Sequence, residues 1–247
     1  MEKLDKIKEC AKLLNLTNLK SNADILIEKA DISNLSYQDF VLKILEDELE
    51  LRSKKARERR FRSAEFPVVK RIEDFDLNFQ QVLSQKQINR LLELEWIDRL
   101  YNLIFLGPPG VGKTHISIAL GVKAVEAGYN VSFTSMDNLM YCLKTKDISR
   151  NSKWKINRIQ SSELIIIDEL GYLPITREEA NLFFQLISSL HEQASLIITS
   201  NKGFEDWTEL LGDAALTTAI LDRIAYRCEL FNMSGKSYRL ENRKSLF

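Results

Sequence analysis

Histidine and cysteine are scarce in this chain of 247 residues, and each shortage removes a class of chemistry. Two histidines, His115 and His191, are too few for a histidine-rich metal centre. The three cysteines, Cys10, Cys142 and Cys228, are odd in number and far apart. That excludes a disulfide framework and a zinc knuckle, and it suits a reducing compartment. Formal net charge is zero, so composition alone argues for neither nucleic acid nor membrane. Any such case must come from local clustering. No uncharged apolar run nears the roughly 20 residues that span a bilayer. The start, Met1-Glu2-Lys3-Leu4-Asp5-Lys6, lacks the apolar core of a secretion signal. A soluble, cytoplasmic protein with no membrane partner is expected.

Glycine and proline are missing altogether from residues 1–65, which read as a small all-helical domain. Leu4, Ile7, Ala11 and Leu14 recur at helical spacing, as do Ile25 and Leu26 in a shorter segment. Ser36 reads as an N-cap with Asp39 at the third helical position, and Leu35 and Phe40 stand where a hydrophobic staple would. Val41, Ile44, Leu45 and Leu49 continue a stripe down one long helix. Its exposed face is first acidic (Glu46, Asp47, Glu48, Glu50) and then basic. Phe66-Pro67 ends it, because a residue before proline is driven out of the helical region.

Residues 66–247 form the second predicted domain. A lead-in near 68–102 carries Phe75 and Phe79 around an acidic turn, then a helix marked by Ile88, Leu91, Leu92 and Leu94–Trp96. Beyond it, strands and helices alternate. Strands are expected at 103–106, 131–135, 164–168 and 196–200, with helices near 113–127, 137–146, 177–192 and 213–225. Gly128 stands where a helix C-cap belongs. Two final short strands are expected at 228–232 and 237–240. Such alternation implies a parallel sheet covered on both faces.

Two motifs carry the chemistry. Gly107-Pro108-Pro109-Gly110-Val111-Gly112-Lys113-Thr114 matches the phosphate-binding pattern G-x-x-x-x-G-K-[ST], and the apolar run 103–106 leads into it. A buried strand, a glycine-rich turn and a helix with free N–H groups are what a polyphosphate requires. Lys113 would reach the β- and γ-phosphates, and Thr114 would offer its hydroxyl to Mg²⁺. Downstream, Leu164-Ile165-Ile166-Ile167-Asp168-Glu169 is an apolar strand ending in two carboxylates. Asp168 would hold the metal shell and Glu169 would polarise an attacking water. Together these motifs imply a nucleoside triphosphatase using ATP and Mg²⁺. Asn201, ending a fourth apolar strand, either senses the γ-phosphate or opens a turn with Lys202-Gly203. Arg223 either inserts into a neighbouring subunit's site or is a salt-bridged helix end beside Asp222.

Positive charge is clustered twice. Arg52, Lys54, Lys55, Arg57, Arg59, Arg60 and Arg62 face one acid, Glu58; Lys144, Lys146, Arg150, Lys153, Lys155 and Arg158 face Asp147. Each run is either a solvated face or a surface that binds phosphates. No base-reading motif is visible, so any DNA binding would follow backbone and shape.

With these residues in hand, the chain resembles the IstB-like family, AAA+ ATP-binding helper proteins of bacterial insertion-sequence transposition. The resemblance rests on Gly107–His115, Ile165–Pro174 (IIDELGYLP within it), Ile197–Asn201, Leu221-Asp222-Arg223 and Gly235–Leu240, with Asp74-Phe75-Asp76 upstream. It covers about residues 66–247 well and the amino-terminal helices only in layout. It implies a P-loop AAA+ three-layer sandwich with a five-stranded parallel sheet, preceded by the helical domain. It further implies an ATPase that assembles head-to-tail on duplex DNA, bends it and presents it to a partner transposase. By position, Gly107–His115 would bind nucleotide, Asn201 would be the first sensor, and Arg223 the finger acting in trans. Arg227, four residues on, competes for that role. The 137–158 segment would face DNA, and the amino-terminal helices would form an adaptor. No separate helical lid is legible after the core, so a second-sensor arginine is not expected; Arg239 is a weak substitute. A DnaC-like helicase loader is the alternative, and a small-molecule P-loop kinase a third reading.

Overall fold

The computed structural model describes residues 2–77, 79, 83–172 and 175–243. The chain divides into two compact units, Met1–Arg59 and Arg60–Phe247, and the division falls inside a helix.

The first unit holds α1 (Glu2–Leu13), α2 (Thr17–Ile32) and most of α3 (Tyr37–Ala64). With no glycine or proline to interrupt it, α3 runs for 28 residues. It starts as expected: Ser36 Oγ accepts the Asp39 N–H at 3.2 Å. Its interior also caps a neighbour. Glu48 is buried, and its two carboxylate oxygens accept the N–H groups of Thr17 (3.0 Å) and Asn18 (2.8 Å), which open α2. Those N–H groups have no partner inside their own helix, so a carboxylate there satisfies both.

The second unit contains α4 (Gln85–Leu92), α5 (Glu95–Asp98), β1 (Asn102–Leu106), α6 (Lys113–Ala127), β2 (Val131–Ser135), α7 (Met136–Thr145), α8 (Arg150–Gln160) and β3 (Leu164–Leu170). It continues with α9 (Arg177–Leu190), β4 (Ser195–Ser200), α10 (Trp207–Leu211), α11 (Ala214–Ala225), β5 (Cys228–Asn232) and α12 (Tyr238–Glu241). The five strands are parallel in the order β2-β3-β4-β1-β5. The three inner strands β1, β3 and β4 carry continuous apolar runs because both their faces are buried, whereas the edge strand β5 is largely exposed. Alternate residues serve opposite cores. Leu103, Phe105, Ile166 and Ile197 pack on one side with α4, α5 and α6. Ile104, Leu106, Ile165, Ile167 and Ile198 pack on the other with α7 to α11.

One expected strand is a helix. The pattern at 237–240 predicts a strand, but Tyr238–Glu241 is the helical turn α12. The last ladder contact is Met233 N–H to Leu106 O at 2.7 Å. Gly235 (φ 128°) then turns the chain out of the sheet, and Tyr238 N–H bonds Gly110 O at 3.0 Å. The alternation in Ser-Tyr-Arg-Leu had suggested a strand; the backbone partner it meets is the glycine loop. Among the described residues no helix is long and apolar enough to cross a membrane.

Candidate nucleotide site

The loop between β1 and α6 leaves the sheet between its two neighbours. Gly107 N–H bonds Ser200 O of β4 at 3.1 Å, while the Met233 contact ties Leu106 to the exit of β5. Gly107 has φ 146°, and a Cβ there would overlap the Met233 carbonyl oxygen. Gly112 has φ 99°, and a Cβ would lie 2.7 Å from the Phe75 ring. These two positions need glycine for close approach as well as for backbone conformation.

Lys113 and Thr114 open α6 and face different partners. Lys113 Nζ donates to Gly107 O (2.6 Å) and Pro108 O (2.9 Å). Burial pulls its pKa below the ordinary lysine value; Asp168 opposes that, and the nearby Arg239 charge adds to it. An ammonium held only by neutral carbonyls is placed to accept a stronger, anionic partner. The Thr114 hydroxyl reaches the Asp168 carboxylate at 2.9 and 3.1 Å. A hydroxyl beside a buried carboxylate is a hard-oxygen pair that fits Mg²⁺, which keeps most of its own waters. Among the described residues no cluster of three or more His, Cys, Asp or Glu is assembled.

Asp168 and Glu169 are adjacent yet face different surroundings. Asp168 is buried, whereas Glu169 is exposed and lines a cleft of about 890 Å³. The cause is a bulge. Ile167 pairs with Ile198 and Leu170 with Ser200, so two residues of β3 oppose one of β4. Glu169 takes a left-handed φ of 62° at that point, which turns its side chain into the cleft.

The remaining walls come from several elements. Asn201, just beyond β4, lines the cleft, as do Val68, Val69 and Phe75 of the lead-in and Tyr238 and Arg239 of α12. His115 Nε2 lies 2.9 Å from Arg71 O. That oxygen can only accept, so Nε2 carries the proton. The ring also meets Phe75 edge-on at 5.4 Å, which ties the lead-in to α6. The sequence reading missed Thr199 and the apolar wall. A threonine inside an apolar strand carries no local signal of its function, and Val68-Val69 resemble any linker.

The other sequence-chosen residues are scattered. Arg223 donates to Ala219 O at 2.8 Å and sits 4.8 Å over the Phe184 ring. Arg227 donates to Arg99 O at 3.2 Å, and its own carbonyl caps Asn102. Both lie at the amino end of β1. A five-residue strand, about 16 Å long, separates them from the glycine loop at its other end. Neither serves the cleft of its own chain.

The basic runs are only partly free. Lys144 is bound to Glu179 at 2.7 Å, and its hydrogen bond is the main reason that carboxyl is held below its ordinary pKa. Arg52 bridges Glu48 (3.3 Å) and Asn15 O (2.9 Å). Arg158 departs from the expected solvent-facing cluster: it is buried, 2.9 Å from Glu65, which Lys155 also approaches at 3.6 Å. Lys146 and Arg60 are half-buried; Lys54, Lys55, Arg57, Arg59, Arg62, Arg150 and Lys153 are exposed.

The model of the family described as IstB-like ATP binding protein matches residues 9–246. A protein named for ATP binding in insertion sequence IS21 of Pseudomonas aeruginosa is 42% identical over 231 residues, 94% of this chain and 87% of that protein. Its counterpart in IS5376 of Geobacillus stearothermophilus is 35% identical over 240 residues, 97% of this chain and 96% of the relative. Among solved structures, DnaI superposes with a TM-score of 0.55 at 19% identity, over 69% of this chain and 90% of that one. AMPPCP-bound DnaA from Aquifex aeolicus gives 0.54 at 20% identity, over 71% and 53%. The fold is therefore that of the P-loop AAA+ domains, as the resemblance implied. Of the run Ile165–Pro174, Leu173 and Pro174 lie outside the described residues.

Proposed function

Because this chain belongs to the IstB-like ATP-binding protein family, we propose that it is a Mg²⁺-dependent ATPase that assembles on duplex DNA and delivers it to a transposase. The observation that carries the reading is the convergence of Lys113, Thr114, Asp168, Glu169 and Asn201 on one cleft. Lys113 exchanges the Gly107 and Pro108 carbonyls for β- and γ-phosphate oxygens. Thr114 and Asp168 hold the cation's shell, and Mg²⁺ when bound neutralises charge on the phosphate oxygens. Glu169, turned into the cleft by the bulge, accepts the proton of the attacking water. Asn201 orients that water.

Arg223 or Arg227 completes the site of a neighbouring copy, which makes hydrolysis depend on head-to-tail assembly. The exposed cations Lys54, Lys55, Arg57, Arg59, Arg150 and Lys153 supply sequence-independent contact with DNA phosphates. Residues 1–65 act as the adaptor for DNA or transposase. Relatives named for insertion sequences favour this reading over a helicase loader, since likeness to DnaI at 19% identity concerns fold alone.

The deciding experiment is ATP-dependent assembly on short duplexes, followed by mass measurement and electron microscopy. Defined oligomers on duplex DNA, formed with ATP and lost with Lys113→Ala, are expected. Assembly only on single strands, or only with a hexameric helicase, would replace this reading with the loader.

A further inference from the structure

A second recess lies at the opposite end of the sheet from the glycine loop. The last turns of α3 and the end of α8 enclose a pocket of about 250 Å³ beside the start of β2. Arg60, Ser63, Asn130, Arg158, Ser161 and Ser162 line it. All belong to the Arg60–Phe247 unit.

The pocket is short of negative charge. Arg158 has a side chain only 7% exposed, and its Nη1 is within ion-pair distance of Glu65 without the alignment of a hydrogen bond. Arg158 Nε and Arg60 Nε are likewise buried with no acceptor. Glu65 is shared between Arg158 and Lys155, and none of the residues that line the pocket beside Arg60 and Arg158 is acidic. Glu163, beside Asn130, is exposed and uses Oε2 on the Asn130 N–H at 2.9 Å. A guanidinium cannot discharge by losing a proton, and buried donors without acceptors are costly. The stable complement is an anion with several acceptor oxygens.

We propose that this pocket binds a phosphate group. Guanidinium forks match phosphate oxygens in geometry as well as charge. At about 250 Å³ the space exceeds the roughly 30 Å³ share of a water several-fold. It falls below the about 300–1,000 Å³ typical of sites for whole small molecules, so it suits one phosphate and not a nucleotide. The source is either a backbone phosphate of DNA, with Arg150 and Lys153 exposed on the same α8, or free phosphate. The second source does not rest on the DNA reading above.

Both sources are tested with the full chain. In the first arm, the salt dependence of binding to a short duplex is compared for the unaltered chain, Arg60→Gln and Arg60→Lys. Loss of one backbone phosphate lowers the log–log slope by about 0.9 for Arg60→Gln, while Arg60→Lys retains it. In the second arm, inorganic phosphate is titrated against Lys113→Ala, whose glycine loop is disabled, and phosphorus NMR line broadening is followed. Broadening that disappears when Arg60→Gln is added, and weakens several-fold with Ser63→Ala, assigns the pocket to free phosphate. Circular dichroism reports that each variant is folded, and in the first arm, where Lys113 is intact, nucleotide affinity does so as well. If folded Arg60→Gln leaves the slope unchanged, and Arg60→Gln and Ser63→Ala leave the broadening unchanged, the proposal is overturned.

Discussion

The hydroxyl of Thr199, buried in β4, donates to Oδ1 of Asp168 in the neighbouring strand. The Thr199 hydroxyl oxygen in turn accepts the Glu169 N–H at 2.9 Å. One threonine thus satisfies both residues of the β3 bulge, and holds one carboxylate inward while the other turns into the cleft.

Thr199→Val removes both contacts while keeping shape. Leaving buried polar groups unpaired costs about 1–3 kcal/mol, which for a domain of this size lowers the melting temperature by about 2–12 °C. Turnover is expected to fall further than nucleotide affinity, with Thr199→Ser restoring both. An unchanged melting curve in Thr199→Val would remove the threonine from this role.

Glu169→Gln keeps the size of the side chain and deletes its proton acceptor. Mg²⁺–nucleotide affinity should persist while turnover drops by about 10²–10⁴-fold. Equilibrium binding and steady-state hydrolysis on the same preparation separate the two effects. Undiminished hydrolysis would deny Glu169 the part of general base.

Two glycine substitutions should differ sharply. Gly128 (φ 110°) ends α6 with nothing within 4 Å of a built Cβ, so Gly128→Ala meets only the left-handed strain of about 1–2 kcal/mol. Gly107→Ala must in addition displace the Met233 backbone. It should cost clearly more stability and abolish nucleotide binding, as read by thermal melting and nucleotide titration. Equal melting temperatures for the two variants would argue against the close approach of β1 and the β5 exit.

Subunit mixing tests the arginines. If a site is shared between copies, Arg223→Ala or Arg227→Ala subunits should be inactive alone and partly active when mixed with Lys113→Ala subunits. The arginine whose loss is complemented is the finger. Absence of complementation for both would count against a shared site.

Acid should loosen the helices of the first unit. Burial alone would raise the Glu48 pKa, but the Asn18 and Thr17 N–H groups and Arg52 together hold it below its ordinary value of 4.5. The charged carboxylate therefore contributes stability above that value, and the contribution is lost as pH falls through the lower folded value. Glu48→Gln should flatten this acid sensitivity and weaken α2 at neutral pH by about 1 kcal/mol. Hydrogen exchange across Thr17–Ile32 as a function of pH is the measurement.

Much of the second unit was legible because its signals are local. Strands β1 to β4 stand within about one or two residues of the apolar runs that announced them, and α6 occupies 113–127 as read. The phosphate loop declared itself through glycine spacing, which no tertiary context can alter. Residues 237–240 misled for the same reason: a short alternating string looks alike whether it joins a sheet or covers a loop.

Sequence alone determined where an anion would be gripped and which carboxylates end the third strand, since both follow from chain-local geometry. Tertiary structure decided which charges are available. Arg158 became a buried wall, Lys144 was claimed by Glu179, and Glu48 reached across about thirty positions to cap α2. It also decided that Asp168 and Glu169, side by side in the chain, would face inward and outward. A bulge exists only when a partner strand supplies one residue against two, and that pairing is settled by the packed sheet.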